Sequence, residues 1–227
     1  MRRERSSADR RRQIVRLTGK GRGAFRTLDR RSSQDLGEIL GDRTEEQQRR
    51  LVEAMSGIRR ILGEPLDQRR VEIRAAGPGD HGWVLERHAH LYDDELGWPP
   101  EFEALVAGIL AEFLGDHDPK RERGWVAELD GERAGAVYCV RKSETVAQLR
   151  LLFVEGWARG FGIGGSLVDE CIRFARSKGY ERMALWTNSS LASARRIYDD
   201  RGFEQVGEEP HPVFPKGTVG QELRLDL

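Results

Sequence analysis

The chain has 227 residues, of which 38% are hydrophobic and 33% charged, and its formal net charge is zero. This length allows one full domain with an appendage, and this composition indicates a soluble protein with a real core. No apolar run approaches the length of a membrane span, and no apolar segment follows the charged N terminus as an export signal requires. We therefore expect a cytoplasmic protein without membrane contact.

Charge is unevenly distributed along the chain. Residues 1–31 carry twelve Arg and Lys against three acids, so this segment has a net charge of about +9 and the remainder about −9. Such a density of positive charge favours contact with a polyanion. A solvated tail that pairs with the chain's own acids is the simpler alternative.

The basic segment also contains strand and helix patterns. Residues 14–17 alternate as a strand does, and Thr18 is a suitable N-cap for a helix from about Gly19 to Leu40. A second helix follows a capping box at residues 44–47 and carries an apolar stripe at helical spacing. The stripe consists of Leu51, Met55, Ile58 and Leu62. Two such helices without a sheet beside them need a partner, either the rest of the chain or a second copy.

The runs Asp9-Arg10-Arg11 and Leu17-Thr18-x-x-Gly21 resemble the wing and the start of the dimerisation helix of MarR-type winged-helix regulators. The resemblance implies that Arg10 and Arg11 contact the DNA minor groove and that residues 19–62 form a homodimer. It begins at the wing, so the helix that reads the major groove would lie before Met1. We therefore expect only weak, non-specific DNA contact, and we interpret residues 1–65 as partial wing and dimerisation helices fused to a second domain.

A polar linker at residues 66–70 precedes a second domain at residues 71–227. Alternation, caps and glycine turns predict the element order β-αα-βββ-α-β-α-ββ, with Asp80 as the N-cap of the first helix. The predicted ranges are a strand at 71–74, helices at 81–91 and 101–114, hairpin strands at 125–129 and 132–140, a strand at 145–154, a helix at 164–178, a strand at 183–187, a helix at 190–201 and a last strand at 219–227. This order predicts a mixed α/β domain of the α+β type.

The strand at 145–154 runs through a glycine-rich turn into a helix. Glycines at 160, 162, 164 and 165 keep side chains off the backbone, so its N–H groups and the positive helix end can bind a phosphate. Arg159 adds a positive charge at the rim. A Rossmann site is disfavoured because the glycines follow several strands, and a Walker loop is excluded because no Gly-Lys-Ser/Thr follows. A turn that binds nothing is the alternative.

The run Arg159-Gly160-Phe161-Gly162-Ile163-Gly164 resembles the acyl-CoA-binding motif Arg/Gln-x-x-Gly-x-Gly/Ala of the GNAT N-acetyltransferase superfamily. The resemblance covers residues 71–227 and implies the GNAT acyl-CoA N-acyltransferase fold, here with an N-terminal helical extension, and acetyl-CoA as co-substrate. The residues it implies for acetyl-CoA are Leu152, Phe153, Val154, Arg159, Gly160, Phe161, Gly162, Ile163, Gly164 and Gly165. The backbone N–H groups of residues 152–154 would stabilise the oxyanion, although an ordinary buried strand fits these residues equally.

The segment Arg195-x-x-Tyr198-x-x-x-Gly202-Phe203 resembles the family's segment with a general-acid tyrosine. The resemblance implies that Tyr198 protonates or hydrogen-bonds the leaving thiolate, whereas packing is the usual role of such a tyrosine. The sequence departs from the family at Leu191, where many members have a pantetheine-binding Asn, and at Trp186, where some have a catalytic Glu. Asn188 is the candidate replacement, with a turn or cap residue as the simpler interpretation.

The sequence does not identify the base that deprotonates the acceptor amine. The candidates are Glu155, Asp93, Asp94, Glu95, Glu209 and His211. The histidines form no metal-ligand spacing with cysteines, so we expect no metal. Cys139 and Cys171 lie in apolar runs, and we expect both to be reduced core residues.

The resemblance to the GNAT superfamily implies an enzyme. We expect an acetyl-CoA-dependent N-acetyltransferase that acetylates a primary amine by direct attack in a ternary complex. An acyl-CoA-sensing, DNA-associated regulator fragment with little or no turnover is the alternative, which the residues at Leu191 and Trp186 favour if they mark lost catalysis. A purely structural dimer is disfavoured by the intact glycine turn.

Overall fold

A computed structural model of the chain describes residues 2–5, 13–61, 70–210 and 217–227. The chain divides into two compact units, residues 1–65 and 66–227. In the first unit, β1 (Arg2–Arg5) pairs antiparallel with β2 (Gln13–Arg16), and helices α1 (Gly19–Gly41) and α2 (Glu45–Ile61) follow. Among the residues that the structure describes, no helix is both long enough and apolar enough to cross a bilayer.

Both helices of the first unit begin at their predicted caps. The Thr18 hydroxyl accepts the Gly21 N–H at 3.2 Å. Thr44 and Gln47 exchange the two bonds of a capping box, at 3.1 and 3.3 Å. Exposed apolar side chains then follow along both helices: Phe25, Leu28, Leu36 and Ile39 on α1, and Leu51, Val52, Met55 and Ile58 on α2. The predicted residues Arg10, Arg11 and Leu62, and most of the linker at 66–70, lie outside the described residues.

The second unit is built on a seven-stranded sheet with helices on both faces. Its strands are β3 (Val71–Ala75), β4 (Arg123–Leu129), β5 (Glu132–Arg141), β6 (Val146–Val154), β7 (Arg182–Asn188), β8 (Glu204–Glu209) and β9 (Gly220–Asp226), in the spatial order β3-β4-β5-β6-β7-β9-β8. All neighbours are antiparallel except β6 and β7, which are parallel. The helices are α3 (Asp80–Leu96), α4 (Glu101–Asp116), α5 (Ile163–Ser177) and α6 (Ala192–Asp199).

The core consists of two apolar clusters, one for each pair of helices. Val84 of α3 and Val106 of α4 belong to one cluster. Leu167 of α5 and Tyr198 of α6 belong to the other. Cys139 and Cys171 are both buried and unbridged in the second of these clusters, as predicted.

One local prediction, the cap of α3, is wrong. Gly79, with φ +86°, is the N-cap, and Asp80 is the first helical residue. The buried Asp80 carboxylate instead accepts hydrogen bonds from the Gly77 N–H at 2.8 Å and from the Arg74 guanidinium at 2.6 Å. It therefore ties β3 to the start of α3, because a buried carboxylate needs a charged partner.

Strand β6 separates from β7 halfway along its length. Their pairing extends only as far as Leu149 and Leu185. Just beyond, the two residues between Arg150 and Phe153 oppose a single residue of β5, which is a β-bulge, and Leu151 has φ +53°. A left-handed conformation costs a non-glycine residue about 1–2 kcal/mol, and a bulge bends its strand. The bend carries the second half of β6 away from β7 and leaves a gap in the sheet.

Candidate active site

A cavity of about 650 Å³, which we call the first cavity, lies beside the gap. The second half of β6, the glycine turn, the starts of α5 and α6 and one side of α3 form its walls. It collects nine of the residues predicted to bind acetyl-CoA, namely Leu152, Phe153, Val154, Arg159, Gly160, Gly162, Ile163, Gly164 and Gly165. The exposed Phe161 and the buried Asn188 are not part of its wall.

The glycine turn presents bare backbone to the first cavity. Gly160 and Gly162 have φ values of +88° and +75°, which favour glycine. The first intrahelical bond of α5 runs from the Ser166 N–H to the Gly162 carbonyl at 3.0 Å, and within the described residues no side chain caps this end. The preceding N–H groups therefore have no helical acceptor and lie at the positive end of the helix, which suits an anion.

Close packing explains the other two glycines of the run. A Cβ atom on Gly164 would lie 2.9 Å from Ile197 Cδ1. A Cβ atom on Gly165 would lie 2.6 Å from an Arg201 guanidinium nitrogen. Any side chain at either position would push α6 or Arg201 away from the start of α5.

Two arginines border the first cavity near the glycine turn. Arg159, half exposed, forms an ion pair with Glu95 at 2.8 Å and donates to the Val154 carbonyl at 3.3 Å. Arg201 forms a two-bond ion pair with Asp169, at 2.7 and 2.9 Å. The sequence predicted only Arg159, because Arg201 is 42 residues further along the chain and reaches the turn through the fold.

Strand β6 directs backbone donors into the gap. The Glu155 N–H donates to Ala134 of β5 at 2.8 Å, so it points away from the gap. Because successive residues of a strand point their N–H groups to opposite edges, those of Val154 and Leu152 face the gap, whereas that of Phe153 faces β5. Of the three predicted donors, the geometry thus favours the two at Leu152 and Val154.

A second cavity, of about 410 Å³, is lined by α3, α4, the ends of β6 to β9 and the start of α6. It shares Tyr92, Leu152, Leu191 and Ala194 with the first cavity. The two cavities therefore meet at the gap between β6 and β7. Two molecules that enter from different directions can make contact there.

Tyr198 lines the second cavity and is 4% exposed. Burial raises the pKa of its hydroxyl well above the usual value of 10, so Tyr198 remains a proton donor at neutral pH. Tyr92, which the sequence analysis did not single out, borders both cavities, and burial raises its pKa to about 12. Two protonated tyrosines thus line the site, Tyr92 at the junction and Tyr198 in the second cavity.

Asn188 stabilises a turn and does not line the first cavity. Its side-chain carbonyl accepts the Ser190 N–H at 2.9 Å and the Ser190 hydroxyl at 2.7 Å, and its amide donates to Thr218 at 3.1 Å. These bonds fit the simpler interpretation of Asn188 as a turn residue. Trp186 and Leu191, where the sequence departs from the family pattern it resembles, line the second cavity.

The acids considered as bases lie in different surroundings. Glu155 is buried and bound by Arg87 through two bonds, at 2.6 and 3.1 Å, and Glu95 is paired with Arg159. Asp93 and Asp94 line neither cavity, and His211 lies outside the described residues. Glu209 lines the second cavity.

His88 is a further polar group in the wall of the second cavity. Its Nδ1 lies 2.8 Å from the Val84 carbonyl and must carry the proton of that bond, so Nε2 has a free lone pair. The ring stacks on Tyr92 and meets Phe153 edge-on. Burial lowers its pKa to about 4, so it is neutral at pH 7. No metal-binding group of His, Cys, Asp and Glu occurs within the described ranges.

Known proteins share this architecture. Residues 85–203 match the model of the acetyltransferase (GNAT) family. N-acetylaspartate synthetase of Danio rerio is 33% identical over 102 residues, which cover 44% of this chain and 36% of that protein. The match thus spans about a third of the length of this curated relative.

Solved structures show the same fold at low sequence identity. The acetyltransferase yncA of Salmonella typhimurium, solved with its cofactor acetyl-CoA, has a TM-score of 0.55 at 19% identity, over 69% of this chain and 94% of that chain. A GNAT-family acetyltransferase of Staphylococcus aureus Mu50 has a TM-score of 0.57 at 18% identity, over 70% and 99%. The predicted mixed α/β GNAT fold is confirmed. Because the family model covers more than half of its residues, the chain belongs to the acetyltransferase (GNAT) family.

Proposed function

We propose that the protein transfers an acetyl group from acetyl-CoA to a primary amine. The observation that carries the proposal is the first cavity, where the unpaired edge of β6 and the uncapped start of α5 lie side by side. Its glycines suit the group, because Gly160 and Gly162 adopt positive φ values and leave bare backbone in the cavity wall. The start of α5 would bind the pyrophosphate, with Arg159 and Arg201 beside it.

In this proposal acetyl-CoA supplies an activated acetyl thioester, and the protein positions and polarises it. The Leu152 and Val154 N–H groups would bind the pantetheine arm and stabilise negative charge on the acetyl oxygen. The amine nitrogen attacks from the second cavity, the carbon–sulfur bond breaks, and Tyr198 gives or shares a proton with the leaving sulfur. Glu209 is the acceptor in the second cavity for the proton that the amine loses.

The walls of the two cavities favour direct transfer. Neither cavity has a cysteine in its wall, and both cysteines are buried in the core under α5. A covalent acetyl-cysteine intermediate therefore has no place in this site. We propose attack within a complex of both substrates, as the junction of the cavities allows.

The test of this proposal is transfer by the purified full chain. We expect incubation with acetyl-CoA and a panel of primary amines to release free CoA thiol and form an acetylated amine, measured by thiol titration and mass spectrometry. Initial rates with both substrates varied should give intersecting reciprocal plots. Absence of acetylated product with the whole panel would contradict the proposal, and parallel plots would contradict direct transfer.

The first unit has a role separate from catalysis. We propose that residues 1–65 are a dimerisation module joined through residues 66–70 to the catalytic domain at 71–227, in a cytoplasmic protein. The exposed apolar side chains of α1 and α2 support it, because unpartnered apolar stripes favour association. Weak DNA contact through Arg10 and Arg11 stays a prediction, and no observation among the described residues favours a regulator without turnover.

If the apolar stripe of α2 lies in a dimer interface, charged substitutions in it should dissociate the dimer. We expect the full chain to be a dimer in light scattering, and the triple variant Leu51→Glu, Met55→Glu, Ile58→Glu to be a monomer, because each change places a charge in the apolar stripe. Arg50→Glu, at an exposed position beside the stripe, is the control and should remain a dimer. A monomeric unmodified chain contradicts the proposal.

A further inference from the structure

The second cavity contains a positive charge that has no counter-ion among the described residues. Arg150 of β6 lies just beyond the last residue that pairs with β7 and lines this cavity. Its side chain is partly buried, and no residue of the described ranges forms an ion pair or hydrogen bond with its guanidinium. The acid that acts on it electrostatically is Glu112 of the neighbouring helix α4, which is exposed and forms no ion pair with it.

A partly buried guanidinium without a partner destabilises the folded state, so its presence in the cavity wall points to a function. Removing a charge from water without a partner is costly, and burial lowers the pKa of Arg150 accordingly. Lys142, the other cation of this wall, is already neutralised by Glu222 at 2.8 Å. The group that best complements a free guanidinium is a carboxylate, which it binds through two parallel bonds.

The same cavity also offers an acid that is free to attract an amine. Glu209 lines the second cavity and, among the described residues, has no ion pair. Within the described part of the chain, one cation and one anion in a space of about 410 Å³ thus lack partners, and together they complement a molecule that carries both charges. Amines that carry only positive charge would meet repulsion from Arg150.

The distance between Arg150 and Leu152 along β6 limits the length of a molecule that contacts both residues. Arg150 and Leu152 are two residues apart, which is at most about 7 Å along a strand. The Leu152 N–H faces the gap where transfer would occur. A carboxylate on Arg150 and an amine beside Leu152 therefore fit within one small molecule.

We propose that the acceptor is a small primary amine that also carries a carboxylate, of the amino-acid class, and that Arg150 binds this carboxylate and determines acceptor specificity. The inference rests on the proposed acetyl transfer and adds the substrate class. Arg150 does not line the first cavity, so its role is limited to the acceptor.

The test compares matched acceptors and matched variants at saturating acetyl-CoA. The probes are L-alanine, L-aspartate and L-glutamate against L-alaninamide and putrescine, which lack a carboxylate. We expect the unmodified chain to favour the carboxylate amines in kcat/KM by at least about tenfold. Arg150→Met should raise KM for them by about 10- to 100-fold, with little change for L-alaninamide, and Arg150→Lys should restore part of the loss.

Arg182→Met is the control, because Arg182 is also partly buried but lies at the far end of β7 and lines neither cavity. It should keep the preference. Equal use of L-alaninamide and L-alanine by the unmodified chain, or an unchanged preference in Arg150→Met, would overturn the inference and leave the acetyl transfer intact. Failure of every amine to yield an acetylated product would overturn both.

Discussion

Gly162→Val is expected to abolish the thermal stabilisation that acetyl-CoA gives the second unit. At a concentration a hundred times Kd, a ligand stabilises by about 2.7 kcal/mol, which raises Tm by roughly 5–10 °C in a domain of this size. Gly162 has φ +75° at the start of α5, and a β-branched residue there must rotate the backbone donors out of position. Tryptophan fluorescence measures this unit alone, since all five tryptophans lie in residues 83–186.

Gly179→Val separates lost binding from lost stability. Gly179 follows the other end of α5 with φ +76°, and neither glycine has a heavy atom within 4 Å of an added Cβ atom. Both variants should therefore lower Tm of the free protein by a similar amount. Only Gly162→Val should lose the response to acetyl-CoA, and a full response in that variant would refute the assignment of the glycine turn.

Tyr198→Phe is expected to lower kcat by about 10²- to 10³-fold while acetyl-CoA affinity stays nearly constant. The hydroxyl matters chiefly as charge develops on sulfur, so its loss affects the transition state more than the bound ground state. Tyr198 lines the second cavity and not the first. The measurement pairs initial rates with calorimetric titration of acetyl-CoA.

Two further tyrosines make this prediction specific. Tyr180 is also buried, but its hydroxyl donates to the Arg121 carbonyl at 3.2 Å and lines neither cavity, so Tyr180→Phe should keep its turnover. Tyr92 borders both cavities. If Tyr198→Phe turns over like the unmodified chain and Tyr92→Phe loses activity, the proton donor is Tyr92 and the role given to Tyr198 is wrong.

Local patterns predicted the elements well because the interactions that form them are short in sequence. Thr44 caps α2 through Gln47, three residues away, and the Asp130-Gly131 turn joins β4 to β5 with both residues at positive φ. The glycine turn is likewise contiguous with the strand before it and the helix after it. Its position in the first cavity therefore follows from one stretch of sequence.

The rest of the site depends on contacts between distant segments. Tyr92 reaches the junction because α3 packs against β6, and Arg201 reaches the glycine turn from the end of α6. Glu155, a plausible base in the sequence, is bound by Arg87, 68 residues away. The β-bulge at Leu151 leaves no mark on a run of apolar residues, because its cause is the register with β5.

The two cavities that meet at the gap between β6 and β7 differ in the groups they offer: one offers main-chain groups and the other offers side chains. The first cavity offers main-chain N–H groups, which every residue except proline provides, so it constrains sequence mainly at a few glycines. The second cavity offers side chains such as Arg150 and Glu209, and each can be exchanged by one substitution. If the proposed function holds, divergence can therefore replace the acceptor while the acyl donor is retained.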